Sequence, residues 1–313
     1  MLAGMRTDKS AATRERSGST VRGVVITHGT RAVWPGITKR ELARYYDSVG
    51  EWLLPHVKNR PLTLVRCPDG TQAECFFQRH LLMGASPGDV RTYHRERGSK
   101  APYIYVDSIE AIVSTVQNGA VELHTSGATI PDIAHPDRFT LDLDPGPDVS
   151  WKTLVDAARL VKALLDTLDL KSFIKSTGGN GLHVVVPIQP TLDWATVKEF
   201  THDIAVMLAK ARPEIFLATM TKAKRPGKVF VDAMRNAAEI RVAVAAYSVR
   251  THAGATVSTP IAWDELEGTD LRATFTLRTV PRRLAKLGGD PWQDYWTTRQ
   301  EVTGRMLAAL ASA

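Results

Sequence analysis

The chain has 313 residues, 43% hydrophobic and 23% charged, a balance that suits a globular protein of one or two domains. Its 40 Lys and Arg against 33 Asp and Glu leave a formal charge of +7, which permits a nucleic-acid partner without requiring one. No apolar run approaches the ~20 residues of a membrane span. The start, MLAGMRTDKSAATRERSGST, lacks a signal peptide's apolar core.

Residues 1–20 are polar and rich in Ser and Thr and read as a disordered tail. RGVVITHG is then a strand. Over residues 38–57 the spacing of Leu42, Tyr45, Tyr46, Val49 and Leu53 predicts one helix with Thr38 as its N-cap. PLTLVRCPDG is a strand closed by a turn, and ECFFQRH follows it. Cys67 and Cys75 have no second pair nearby, so they make no zinc pattern. Two cysteines in so long a chain point to a reducing cytoplasm and unpaired thiols. GDVRTYHRERGSKA reads as a basic, polar connection, PYIYVDS as a strand, SIEAIVSTVQNG as a short helix, and AVELHTSGA as another strand.

RFTLDLD is a strand ending in two aspartates, Asp142 and Asp144, which point to the same face. Ser150 caps a helix whose stripe is Leu154, Val155, Ala158, Val161, Leu165 and Leu168. KSFIKST and LHVVVPI form a hairpin around GGNG. Asp193 caps a helix with Val197, Phe200, Ile204 and Leu208 on one face, and KVFVDAM is a last strand. The order β-α-β-β-α-β is the split βαβ, or ferredoxin-like, arrangement. The expected fold class is therefore α+β: a ferredoxin/RRM-like module over residues 131–300, forming one compact unit with an N-terminal α/β module over residues 21–130.

In that topology the first and third strands are central, and the fourth lies beside the first. Asp232, in VFVDAM, would then neighbour Asp142 and Asp144. Three carboxylates on one open face make a hard-oxygen site suited to Mg²⁺ or Mn²⁺. The hairpin STGGNGLHV adds glycines that let backbone N–H groups approach a phosphate, with His183 beside them. Lys222, Lys224 and Arg225 lead into the Asp232 strand, and Arg250 follows it. Each feature has a plainer reading: a solvated strand end, a simple turn, an exposed charge run.

Together LDLDPG, TGGNGLH and VFVD resemble the metal and phosphate motifs of the archaeo-eukaryotic primase superfamily. More narrowly, residues 24–297 resemble the polymerase domain of bacterial DNA ligase D; GITKRELARYY, RPLTLVRCPDG, ECFFQRH, AVELHTSG and FTLRTVPRRLAKLGGDPW carry the likeness. The resemblance implies a nucleotidyltransferase in end-joining repair, with two Mn²⁺ or Mg²⁺ ions held by Asp142, Asp144 and Asp232. It implies that Thr177, Asn180, His183, His124, Arg250 and Lys175 surround the incoming nucleotide. It implies stacking of the template on Phe76 and Phe77, a 5′-phosphate pocket at Lys39, Arg31 and Arg66, and DNA-end contacts from Arg225, Lys222 and Lys224. Nucleoside triphosphates, gapped or recessed 5′-phosphorylated DNA, Ku and a DNA ligase are the implied partners, in a cytoplasmic, nucleoid-associated setting. Two departures stand out: Thr177 replaces the family's usual serine, and Asn180 replaces its lysine. Rival DxD chemistries fit less well. An aspartyl phosphatase wants Thr or Val where Gly146 stands, and a glycosyltransferase has no use for TGGNGLH. A nucleic-acid binder without catalysis needs no carboxylates facing phosphates.

Overall fold

The computed structural model describes residues 18–80, 90–94, 101–238, 241–268 and 270–311. Two short hairpins come first, β1 (Ser19–Val21) with β2 (Val24–Ile26) and β3 (Ala32–Trp34) with β4 (Ile37–Thr38). They are followed by α1 (Lys39–Ser48), α2 (Gly50–Val57), β5 (Leu62–Arg66), β6 (Phe76–Gln78), β7 (Arg91–Tyr93), β8 (Tyr103–Tyr105), α3 (Ile109–Gln117) and β9 (Ala120–Ser126). The second half holds β10 (Arg138–Pro145), α4 (Trp151–Thr167), β11 (Phe173–Ser176), β12 (Leu182–Pro187), α5 (Trp194–Ala211), β13 (Phe216–Leu217) and β14 (Val229–Asp232). It closes with β15 (Val242–Val244), β16 (Pro260–Ile261), α6 (Thr279–Lys286) and α7 (Gly304–Ala311).

Side-chain caps start the helices where the sequence places them. Thr38 and Glu41 form a reciprocal capping box, and Ser150 and Asp193 accept the Thr153 and Thr196 amides. The helix expected over residues 38–57 is broken in two at Val49. Gly50 lies so close to Ile109 of α3 that a Cβ there would stand 2.5 Å from it.

The main sheet runs β13-β14-β10-β12-β11-β16. Its centre is the ferredoxin order, with the first and third strands adjacent and the fourth beside the first. Phe139, Leu141 and Leu143 of β10 are fully buried, and Phe139 packs edge-on to Phe200 of α5 at 5.8 Å. Alternation sends Thr140, Asp142 and Asp144 to the opposite face.

A second sheet, β15-β9-β5-β6, stands against that opposite face. Its strand β15 comes from the C-terminal half and pairs with β9, Val244 opposite His124. Tyr45 and Tyr46 of α1 tie the halves further: the Tyr45 hydroxyl donates to the Tyr247 carbonyl (2.9 Å), and the Tyr46 hydroxyl accepts the Val249 amide (3.1 Å). The far end of the main sheet's inner face is closed by Trp292 and Tyr295, which pack on Phe173 and Val185. The near end stays open, so the cleft lies there.

Four sequence expectations change. VFVDAM is not the last strand, since β15 and β16 follow. Within the segment read as a connection, residues 91–93 form β7, paired with β8. Cys67 and Cys75 are joined in a disulfide rather than left as thiols. The antiparallel pairing of β5 with β6 brings the two ends of that turn together. Of the tail expected over residues 1–20, residues 1–17 lie outside the described residues, and Ser19 and Thr20 are not disordered but pair within β1.

Candidate active site

A row of polar side chains crosses four strands of the main sheet; its middle, Asp142 and His183, floors the cleft, while Asp232 and Lys175 at its ends line neighbouring hollows. Asp232 of β14 is the register partner of Asp142 in β10, Asp142 of His183 in β12, and His183 of Lys175 in β11. Directly opposed residues share a face, so the four form one line, with Asp144 two residues beyond Asp142 on the same side. Asp142, His183 and Lys175 are buried, whereas Asp144 and Asp232 reach solvent.

The buried carboxylate of Asp142 is surrounded by cations and donors. His183 Nε2 lies 3.3 Å from its Oδ1, and Arg235 donates from Nε to Oδ2 at 3.1 Å. Burial by itself would raise the Asp142 carboxyl, but His183 and Arg235 outweigh it and hold it below the usual carboxylate range. Asp144 is pushed the other way. Burial and the charge of Asp142 raise it, Asp232 adds to the rise, and Arg225 at 3.6 Å opposes it. Burial and the Lys175 charge hold the His183 imidazole down at about 4, so it is neutral at pH 7. Its Nδ1 has no partner among the described residues.

These carboxylates suit a hard divalent cation in donor type and in charge. Asp142 and Asp232 both raise Asp144, which is the mark of like charges gathered in one place. Among the described residues they do not close on a finished metal cage. Arg235 supplies the counter-charge at Asp142, and Asp232 Oδ1 accepts the Met234 amide at 2.7 Å.

Over this floor opens a cleft of about 320 Å³. It gathers Asp142, Asp144, Thr177, Asn180, His183, His124, Arg250 and Arg225 from the sequence reading, and adds Arg235 and His252. In the hairpin, Thr177 Oγ1 donates to the Gly181 carbonyl (3.0 Å) and accepts the Gly179 amide (3.2 Å), closing the turn. Gly178 is required there: its φ is +71°, and a Cβ would stand 2.8 Å from the Val257 backbone. Asn180 is exposed at the tip.

Glu122 organises the wall opposite, and the sequence reading passed over it. Its carboxylate contacts His124 Nε2 at 2.7 Å and accepts Arg250 Nε at 3.0 Å and the Thr251 amide at 2.7 Å. Burial pushes the Glu122 carboxyl up, but the His124 hydrogen bond and the Arg250 charge prevail and hold it at about 2. Arg250 also donates to the Thr177 carbonyl at 2.7 Å, so it bridges the two sheets. The sequence signal for Glu122 is an acid flanked by Val121 and Leu123, two residues from His124.

The aromatic pair continues this wall. Phe76 and Phe77 are 41% and 68% exposed, and Phe77 stands edge-on to His124 at 6.0 Å. Arg66 sits over the Phe76 ring at 5.4 Å and donates to the Asn118 carbonyl. Arg31 is exposed. Lys39 is buried, and its ammonium donates to the Thr27 carbonyl (3.1 Å) and to the Gln117 carbonyl and side-chain oxygen (both 2.8 Å). Lys222 and Lys224 project from a 3₁₀ turn, with Arg225 against the Phe230 ring at 4.3 Å. That basic loop is clamped to β10, because the Gly146 amide donates to the Lys228 carbonyl and the Gly227 amide to that of Pro147. A Cβ on Gly146 would stand 1.9 Å from the Arg225 carbonyl oxygen, so only glycine fits.

Residues 38–292 match the family model described as LigD, primase-polymerase domain. The chain belongs to this family. It is 39% identical over 308 residues to the multifunctional non-homologous end joining protein LigD of Pseudomonas aeruginosa, covering 97% of this chain and 36% of that protein. It is 32% identical over 277 residues to the multifunctional non-homologous end joining DNA repair protein LigD of Mycobacterium tuberculosis, covering 85% and 36%. The chain thus spans about a third of the length of these relatives. Among solved structures it is similar to the polymerase domain from Mycobacterium tuberculosis ligase D in complex with DNA, with a TM-score of 0.79, 31% identity, and coverage of 86% and 96%. As a LigD primase-polymerase domain, the chain has its polar row and its clamped basic loop inside the matched region. Among the described residues no helix is long and apolar enough to cross a membrane.

Proposed function

We propose that this LigD primase-polymerase domain is a template-dependent nucleotidyltransferase that extends 3′-OH ends at gaps and double-strand breaks during end-joining repair. The observation that carries the reading is the pairing of Asp142 with Asp232 and His183 across three adjacent strands, with Asp142, Asp144 and His183 lining a cleft walled by arginines. Asp142, Asp144 and Asp232 would hold two Mn²⁺ or Mg²⁺ ions, which when bound lower the pKa of an attacking hydroxyl and neutralise charge on the triphosphate. Arg235 is 41% exposed and is free to leave Asp142 for a phosphate. Arg250, fixed by Glu122, presents its charge beside the hairpin, where backbone amides bind phosphate oxygens. No side chain needs to act as a nucleophile. The work of the protein is to place hydroxyl, phosphate and charge.

Phe76 and Phe77 offer stacking that tolerates any template base. The Mycobacterium tuberculosis polymerase domain matched here is described in complex with DNA, which supports DNA as the partner. Family resemblance supports ribonucleotides and Mn²⁺ as preferred substrates, and Ku and a ligase as companions. Asn180 removes one cation from the triphosphate side, and Arg235 is positioned to replace it.

Incubation with labelled nucleotide, Mn²⁺ and a 5′-phosphorylated gapped duplex tests the reading. Asp142→Ala or Asp144→Ala is expected to abolish extension while gap binding by fluorescence anisotropy persists. Full extension by either variant overturns the assignment of the carboxylates.

A further inference from the structure

Between the two sheets, behind the Lys175 end of the polar row, lies a second and much smaller cavity of about 30 Å³. Among the described residues every ionisable side chain on its wall is basic: His56, Arg138, Lys175, Arg235 and Arg241. Three of these are almost wholly buried, His56 at 2% exposed, Lys175 at 4% and Arg138 at 8%. Their donor capacity is not used up. His56 Nε2 and Arg138 Nη2 have no partner among the described residues, and the Lys175 ammonium donates to Ser258 Oγ at 2.6 Å.

The nearby acids are committed elsewhere. Asp137 receives Arg60 through two hydrogen bonds and Arg138 Nε at 3.3 Å, so one carboxylate serves two buried guanidinium groups. Asp142 is held by Arg235 and His183. The Asn236 amide on the cavity wall is also spent, accepting the Thr140 amide and donating to the Thr140 carbonyl, both at 2.8 Å. Burial first, then the charges of Arg138, Arg60 and Lys175, push the His56 imidazole well below its ordinary range, a sign of uncompensated positive potential.

A buried water would relieve only part of this. It accepts from about two donors and can place its hydrogens on the Thr125, Ser126 or Thr140 hydroxyls of the wall, but it leaves the positive charge uncancelled. An anion only accepts, and it cancels charge as well. The volume suits one ion of chloride size and excludes a phosphate ester or a nucleotide.

We propose that this cavity binds a single small inorganic anion of the halide class, held by Arg138, Lys175 and the Nε2–H tautomer of His56. The anion compensates the basic cluster and ties the main sheet, through Arg138 and Lys175, to the helix α2 that carries His56. Lys175 and Arg235 belong both to this cavity and to the catalytic side of the main sheet.

Crystals of the protein grown with sodium bromide as the sole halide test it directly. The expected result is an anomalous bromine peak in the cavity, within hydrogen-bond distance of Arg138 Nη2. A cavity holding only water, or nothing, with bromide confined to the outer surface, overturns the proposal. In solution, the melting temperature is expected to be higher in chloride or bromide than in gluconate, an anion too large to enter, at equal ionic strength. The halide increment should vanish in Arg138→Met, or in Lys175→Met should the first variant not fold. Equal melting temperatures in all three salts for the unmodified protein also overturn it.

Discussion

Phe77 exposes 68% of its surface while Lys39 exposes 4%, so each stands where the chemistry of its side chain is least at home. For Lys39 the reason is a joint. Its three ammonium hydrogens meet three oxygens of Thr27 and Gln117, fastening the start of α1 to the end of α3. Lys39→Met strands those buried acceptors and is expected to cost about 1–3 kcal/mol, read by urea unfolding. Burial, with the Arg31 charge adding, also lowers the Lys39 pKa to about 8 from 10.5. Between those values the unfolded chain holds a proton that the folded chain has released. This residue therefore makes stability rise as pH increases through that window, and the rise should be missing from Lys39→Met. Phe77 has no such joint to make. Phe77→Ala is expected to weaken binding to gapped DNA by ~1–3 kcal/mol, the range for one stacked base, with the melting temperature unchanged. An equal loss of folding stability would mean that Phe77 is a packing residue.

At the scale of elements, the sheet register brings the site together. One residue of slip in β12 would turn His183 toward the helices and put an apolar neighbour opposite Asp142. LHVVVP is buried throughout and apolar at every position but His183, so the ladders to β10 and β11, not its own pattern, hold the register. Holding His183 neutral in this place has a consequence in acid. Its pKa of about 4 lies below the ordinary 6.5, so the unfolded chain binds a proton that the folded chain refuses. Stability is expected to fall as pH drops from about 6.5 toward 4, by up to ~3 kcal/mol from this group. Asp142, held low, loses its own contribution at still lower pH. Thermal melts of His183→Gln across this range should show a flatter profile, and an unchanged profile would refute the assignment. The Gly146 clamp works at the same scale, since it ties the basic loop to the strand of Asp142 and Asp144 by backbone bonds that no side chain need specify.

For the whole molecule, the decisive feature is how the inner face of the main sheet is shared. Trp292 and Tyr295 stack at 5.1 Å and close one end over Phe173 and Val185. Trp292 also donates to the Ile174 carbonyl at 2.8 Å. The remaining end is left as the cleft. Trp292→Ala should therefore cost about 3–5 kcal/mol and lower the melting temperature sharply, although the residue touches none of the carboxylates. A small shift would mean that the C-terminal segment is not part of the folding unit.

Much was legible in the chain because short-range rules decide it. Caps at Thr38, Ser150 and Asp193, helical stripes, and strict alternation in RFTLDLD depend on neighbours two to four residues apart. They determined the β-α-β-β-α-β order and, through it, that Asp142 and Asp232 would lie on adjacent strands. Tertiary contact decided the rest. Glu122 becomes the anchor of His124 and Arg250 only when residues 128 positions apart meet. The helix over residues 38–57 is broken at Val49, and α3 packs so closely there that position 50 takes only glycine. Cys67 meets Cys75 because β5 pairs with β6. Lys39 goes inside because distant carbonyls await it, and β15 joins the sheet of the other half. None of these partners lies within the range over which local spacing carries information, so only the folded chain could select them.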